Sequence, residues 1–188
     1  VLAIGPCVAG ALVFARLRPM APQGGSGSPV WGSFGALRDR EVRGYVLRYA
    51  LHCWELFGLR SWMVAFILFG FGLGRSGPPP LGATEAAAII NFLGIPVSIL
   101  GNEAAGRFGR ARYIPLAMAA SGSLAWLAGF SAGWPWWVML GLLAVYFVAV
   151  MSDSAALTAG LVAGTAPHQR GAAMAVYEVT LQAGAAFT

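Results

Sequence analysis

Long apolar runs repeat along this sequence, separated by short connections that hold most of the charge. Of the 188 residues, 58% are apolar and 10% are charged, whereas a soluble domain averages about 45–50% apolar and about 25% charged residues. A spanning helix needs about 20 residues, so this length accommodates about five or six spans. The composition therefore predicts an all-α membrane protein, a polytopic bundle of about six transmembrane helices. It excludes a nucleic-acid-binding module and most soluble enzymes.

Charged and turn-forming residues delimit the predicted segments. Residues 1–15 would span only about 22 Å, so we expect them to be the end of a transmembrane helix that starts upstream. Residues 16–48 form a predicted cytoplasmic, arginine-rich linker, flexible at first and amphipathic at its end. Residues 49–188 form the predicted transmembrane bundle, which we expect to be truncated because the chain stops while still apolar. Its predicted spans are 49–73, 83–104, 113–130, a fifth from the tryptophans at 134–137 to 160, and a last one from 172.

The distribution of arginine predicts the orientation in the membrane. All 12 basic residues are arginine, and strict alternation of the spans puts ten of them on one side. Six lie between residues 16 and 48, and the other four are Arg107, Arg110, Arg112 and Arg170. Arg75 falls on the opposite side and Arg60 lies within a span. Because positively charged connections stay in the cytoplasm, we expect residues 16–48 and 107–112 to face it.

Asp153 is the clearest candidate for a functional group inside the membrane. It lies about two-thirds of the way along the fifth predicted span, between two serines. An ionisable group near the bilayer centre costs at least about 2.5–3.5 kcal/mol, so such groups are rare and usually face the protein interior. We expect Asp153 to take part in proton coupling. The alternatives are a position near the cytoplasmic interface or a hydrogen bond to a neighbouring helix.

Glu55, Arg60 and Glu178 are the other ionisable candidates for a transport or coupling pathway. Glu55 and Arg60 lie about 140° apart around a helix, so we expect each to find a partner on another helix or to line a cavity. The alternative is that this end of the helix projects into the cytoplasm, and His52, one turn from Glu55, has the same alternatives. Glu178 faces either the cavity or another helix.

The sequence contains no pattern typical of catalysis or of metal binding. The two histidines show no nucleophile–base arrangement, the two cysteines show no metal or disulfide spacing, and no Walker A sequence is present. We therefore expect that the chain is not an enzyme, has no catalytic residue and binds neither a metal nor a cofactor.

The connection Arg-Phe-Gly-Arg-Ala-Arg at 107–112 resembles the signature Gly-x-Leu-Ala-Asp-Arg-x-Gly-Arg-Arg-Arg of the major facilitator superfamily. The matching positions are Arg107, Gly109, Arg110 and Arg112. Gly106 stands at the acidic position and Asn102 at the leading glycine. In that family the acidic residue helps to lock the cytoplasmic side, and the resemblance implies Glu103 as its substitute. The alternative is a generic arginine-rich loop that needs tight turns.

Two further segments are similar to the same family. Residues 167–173, which include Arg170 and Gly171, resemble the Pro-x-x-x-Arg-Gly-x-Ala element that precedes the eleventh helix. Residues 49–62 resemble the seventh helix of a bacterial branch, and residues 16–48 match the long linker before it. The resemblance therefore implies a partial major facilitator fold, from the sixth helix through most of the eleventh.

The resemblance implies a secondary active transporter of the bacterial inner membrane, multi-pass and proton-coupled, that moves a small molecule by alternating access. Its partners would be the lipid bilayer, a small-molecule substrate and the N-terminal six-helix half of the same transporter, with no nucleic acid. We expect no transport by residues 1–188 alone. The alternative is a polytopic membrane enzyme or assembly subunit whose catalytic part lies outside this chain. A second loop motif upstream favours the transporter, and a soluble catalytic domain favours the enzyme.

Overall fold

The computed structural model describes residues 38, 40–73, 77–165, 170–171, 173–177 and 179. These residues form helices and the turns that join them, without a strand, so the predicted all-α class is confirmed. Helical residues also occur between 170 and 179. The helices are α1 (Arg40–Gly72), α2 (Ala83–Phe92), α3 (Gly94–Phe108), α4 (Arg110–Gly129), α5 (Trp136–Ser152) and α6 (Ser154–Gly164), with a 3₁₀ turn at Ser131–Gly133.

Several sequence predictions concern residues outside the described ones. They are the first span at 1–15, the linker up to residue 37, Glu178 and the end of the last span. Among the described residues, three helical stretches are long and apolar enough to cross a membrane: Arg40–Gly72, Ala83–Phe108 and Trp136–Gly164. Large apolar side chains also point outward, such as Trp62 and Trp126, which are 68% and 72% exposed. These features indicate a membrane protein, whereas the count of six spans stays a prediction.

Helix α1 begins earlier than the sequence predicted. Residues 40–48, assigned to the linker, are the first turns of a 33-residue helix that is about 50 Å long at 1.5 Å per residue. The reason is a buried stripe at helical spacing, Val42, Tyr45 and Tyr49, which packs in the apolar cluster with α6. The helix therefore starts within the segment assigned to the linker, where arginines on its exposed face concealed this stripe.

Two of the three long helical stretches are interrupted. Leu93 separates α2 from α3, and Asp153 separates α5 from α6. At the second interruption α3 crosses in backbone contact, since a Cβ atom on Gly101 would overlap the Ser152 carbonyl group. The predicted third and fifth spans are thus each built from two helices. Only a residue without a side chain permits this approach at position 101.

Two apolar clusters form the core, one towards each end of the bundle. The first contains Met63, Ile67 and Phe147, and the second contains Cys53, Ile114 and Leu157. Along α1 the first cluster starts at Leu56, three residues after the second ends at Cys53. Three buried polar side chains, those of His52, Ser121 and Asp153, lie at the level between the clusters.

Candidate functional site: a buried polar cluster within the spanning helices

The helices bring three polar side chains into the layer between the two apolar clusters. His52 and Asp153 are 3% and 2% exposed, and Ser121 is 2% exposed. His52 lies on α1, Ser121 near the middle of α4, and Asp153 at the junction of α5 and α6. Burial of such groups inside apolar helices is costly unless they interact with one another. We call these residues, with Glu55 and Tyr146, the polar cluster.

His52 and Asp153 form an ion-pair contact. The imidazole Nδ1 lies 2.9 Å from Asp153 Oδ1. No hydrogen bond of good geometry reaches Asp153 Oδ1 among the described residues. With a protonated imidazole, a small rotation of either side chain would convert this contact into a charge-assisted hydrogen bond.

Glu55 belongs to the same cluster, one helical turn along α1 from His52. Its Oε2 accepts a hydrogen bond of 2.9 Å from the Ser121 hydroxyl group. The Tyr146 side chain is a further polar neighbour of this carboxylate, which also lies within electrostatic range of His52 and Asp153. Helices α1, α4 and α5 therefore each direct a polar group at Glu55.

A stacked pair of tyrosines borders the polar cluster on the side of α6. The rings of Tyr49 and Tyr177 stack with their centroids 3.3 Å apart and an angle of 9° between the planes. The Tyr177 hydroxyl group hydrogen-bonds Thr158. It lies within electrostatic range of Asp153. Because phenols are neutral near pH 7, the two tyrosines contribute dipoles but no charge to the polar cluster.

The charges within the polar cluster do not balance when both carboxylates are ionised. Two carboxylates carry two negative charges, and His52 supplies at most one positive charge. In the described part of the chain, no hydrogen bond of good geometry reaches the buried Glu55 Oε1 and Asp153 Oδ1, although Tyr146 is a polar neighbour of Glu55 and His52 Nδ1 lies 2.9 Å from Asp153 Oδ1. A carboxylate offers about four acceptor positions, so acceptor capacity is left over. The cluster is therefore suited to take up a proton or a cationic group.

Arg60 lies apart from this cluster. It is exposed, and its guanidinium carbon lies 5.7 Å from the centroid of the Phe147 ring. It lines a cavity of about 340 Å³ together with Asn91 and Ser98. The Glu55 carboxylate bonds Ser121 on α4, whereas the Arg60 guanidinium lies against Phe147 on α5.

The residues of the loop motif lie at the α3–α4 turn. Gly109 has a φ of +87°, a conformation that favours glycine, and reverses the chain between the two helices. Arg107 approaches Glu103 at 3.9 Å, with both side chains more than half exposed. Such exposed pairs contribute about 0–1 kcal/mol, so this contact adds little to the stability of the turn.

The remaining loop arginines differ in their surroundings. Arg112 is exposed, whereas the Nε atom of Arg110 is buried and makes no hydrogen bond within the described ranges. Arg170 donates from Nε to the Thr165 carbonyl oxygen at 3.2 Å, which ties the start of the last described helical segment to the end of α6. Gly171 beside it is exposed.

Sequence reasoning underestimated His52 and did not single out Ser121 or Tyr146. The usable signal for His52 was its one-turn spacing from Glu55, together with Tyr49 and Cys53 on the same helix face. No local pattern distinguishes Ser121 from the other serine of α4, because its role depends on a residue 66 positions away.

Comparison with known proteins adds no assignment: no family model, curated protein or solved structure matches this chain. In its described residues the chain is therefore an all-helical membrane protein with a cluster of buried polar side chains between its helices.

Proposed function

We propose that this chain is part of a proton-coupled secondary transporter of the major facilitator type, which moves a small molecule across the bacterial inner membrane by alternating access. The observation that carries the proposal is the polar cluster, in which His52 approaches Asp153 at 2.9 Å and Glu55 lies within electrostatic range of both. Ionisable groups at this depth are rare, and proton relays are among their recognised uses.

The unsatisfied oxygens favour function over a purely structural role. Buried polar groups that serve stability alone are normally hydrogen-bonded. Glu55 and Asp153 have Tyr146 and His52 as polar neighbours, but no hydrogen bond of good geometry reaches Glu55 Oε1 or Asp153 Oδ1 within the described residues. A proton that arrives at either carboxylate neutralises the excess charge, so the cluster changes its net charge with a single proton.

Asp153 lies at the one-residue junction between α5 and α6. Its backbone keeps a right-handed helical conformation, and its carbonyl group accepts a helical hydrogen bond of 2.8 Å from the Leu157 N–H group. A change in charge at this side chain would act at the joint between two helices.

The substrate pathway is proposed to include Arg60. Its exposed guanidinium group and the polar side chains of Asn91 and Ser98 line the same cavity. This cavity is separate from the polar cluster, so substrate contact and proton binding would use different residues. Glu178 and the loop residues Arg107, Gly109, Arg110 and Arg112 retain their proposed roles in the pathway and at the cytoplasmic face.

The test of coupling uses the full-length protein reconstituted in liposomes. Asp153→Asn is expected to abolish acceleration of uptake by an inward proton gradient while counterflow exchange of substrate continues. Glu103→Gln is the matched control, because it removes a carboxylate that is 60% exposed. Gradient-dependent uptake by Asp153→Asn equal to that of the parent protein would contradict the coupling role.

A second measurement examines proton binding in the 188-residue chain itself. Infrared difference spectra between acidic and neutral pH should contain a protonated carboxylic acid band from a buried group. Asp153→Asn or Glu55→Gln is expected to remove or shift this band, and Glu103→Gln to leave it unchanged. Spectra that are the same for all three variants and the parent would contradict proton uptake by the cluster.

A further inference from the structure

A groove on the outer surface between α4 and α5 plays no part in the proposed transport. Its volume is about 630 Å³, within the range of about 300–1,000 Å³ typical of small-molecule sites. The walls are apolar, and Leu116 and Val145 are 69% and 55% exposed. Alanines at 117 and 120 leave the space between the helices open.

The polar groups of this groove are at one end. Arg112 and Tyr113 lie in the first turn of α4, and Ser152 ends α5 beside them. From Arg112 to Ala120 the groove follows α4 for about 12 Å at 1.5 Å per residue. A cationic group at the predicted cytoplasmic end of an apolar channel matches a molecule with an anionic head and a hydrocarbon tail.

We propose that this groove binds an anionic phospholipid of the cytoplasmic leaflet, with its phosphate at Arg112 and one acyl chain between Leu116 and Val145. Basic pockets between transmembrane helices on the cytoplasmic side bind lipid head groups of this kind. The start of α4 adds the partial positive charge of a helix N-terminus.

Electrostatic repulsion disfavours two other candidate occupants of the groove, the predicted first span of this chain and a second copy of the chain. The predicted first span ends at Arg16 and Arg18, and packing in this groove would bring both towards Arg112 on the cytoplasmic side. A second copy of the chain related by a two-fold axis would bring Arg112 towards its own counterpart. Like charges directly opposed are unfavourable, whereas a phosphate neutralises the arginine.

The test measures lipid retained by the purified 188-residue chain in detergent micelles that contain phosphatidylglycerol and phosphatidylcholine with identical acyl chains. After gel filtration, bound lipid is extracted and quantified by mass spectrometry. Phosphatidylglycerol is expected to be enriched about fivefold, which corresponds to about 1 kcal/mol for one arginine near a membrane surface.

Arg112→Gln is expected to abolish this enrichment and Arg112→Lys to retain it. Arg107→Gln is the matched control, because this neighbouring side chain is 80% exposed and does not line the groove. Ala120→Phe fills the groove and should reduce retention of both lipids. Circular dichroism verifies the helix content of each variant. If Arg112→Gln fails to fold, salt at about 1 M should remove the enrichment in the parent chain, because it shortens the screening length to about 3 Å.

Equal retention of the two lipids by the parent chain would overturn the proposal, as would enrichment that survives both Arg112→Gln and high salt. Unchanged retention by Ala120→Phe would show that the acyl chain lies elsewhere. A dimer that Ala120→Phe dissociates would assign the groove to a second copy. Displacement of phosphatidylglycerol by inorganic phosphate alone would reduce the site to an anion contact and overturn the acyl-chain assignment. The proposal does not depend on transport, so its outcome leaves the proposed function unaffected.

Discussion

His52 Nδ1 lies 2.9 Å from Asp153 Oδ1, and each of the two side chains is only 3% exposed. This contact joins α1 to the junction of α5 and α6, so one pair of titratable groups links two of the three candidate membrane spans. The buried pair has energetic consequences that are independent of transport. They can be measured on the chain in detergent.

Removal of the imidazole should destabilise the fold more than neutralisation of the carboxylate. His52→Leu leaves Asp153 buried without its partner, and loss of one partner of a buried pair costs about 3–5 kcal/mol. Asp153→Asn should cost less, because imidazole is stable as a neutral group. Chemical unfolding followed by circular dichroism measures both free energies of unfolding.

The double variant His52→Leu with Asp153→Asn should recover part of the loss, since no buried charge remains without a partner. Glu103→Gln is the control for loss of an exposed pair and should change stability by less than about 1 kcal/mol. Strictly additive losses in the double variant would contradict an interaction between His52 and Asp153.

Gly101→Ala should disrupt the crossing of α3 over the α5–α6 junction. The added methyl group would overlap the Ser152 carbonyl group, which is backbone and cannot rotate away. Overpacking of this kind costs about 1–3 kcal/mol or more. Gly106→Ala on the same helix has open space at its Cβ position and should be neutral or stabilising. Thermal unfolding that gives the same midpoint for the two variants would argue against this crossing.

Gly109→Ala tests the turn between α3 and α4. No atom lies within 4 Å of the added Cβ, so the cost comes from the backbone at φ +87° and should be about 1–3 kcal/mol. Gly44→Ala in α1 also meets no atom, and replacement of a helical glycine should stabilise by about 0.5–1 kcal/mol. The two substitutions are therefore expected to shift the unfolding midpoint in opposite directions, and a shift of the same sign would contradict the assigned turn.

Thiol labelling tests the predicted orientation. In a Cys7→Ser, Cys53→Ala background, single cysteines replace Arg43, Arg107 and the exposed Pro80. A membrane-impermeant reagent added to intact cells should label the cysteine at 80 and leave those at 43 and 107 unlabelled until the cells are opened. The positive-inside distribution is the reason. Labelling of positions 43 and 107 from opposite sides would overturn the arrangement of the spans.

Periodic features of the sequence predicted the helices well. Hydropathy predicted helical segments that the structure contains, because burial of an apolar face and satisfaction of backbone hydrogen bonds are local requirements. The turn at Gly109 was also foreseeable, since glycine in a short arginine-rich connection suits a positive φ. The angular separation of Glu55 and Arg60 followed from helix geometry alone. In contrast, the early start of α1 at Arg40 depends on contacts of Tyr45 with residues far along the chain, such as Gly160.

The amino-acid sequence by itself predicted helices with apolar outer faces, and connections in which the arginines are concentrated. These properties depend on composition and on short-range spacing. Only the tertiary structure decided that Asp153 ends one helix and faces His52, that Glu55 bonds Ser121, and that Arg60 turns towards Phe147. The physical reason is that a buried charge selects its partner by three-dimensional proximity. Residues separated by 66 positions or more in the chain become neighbours only when the helices pack.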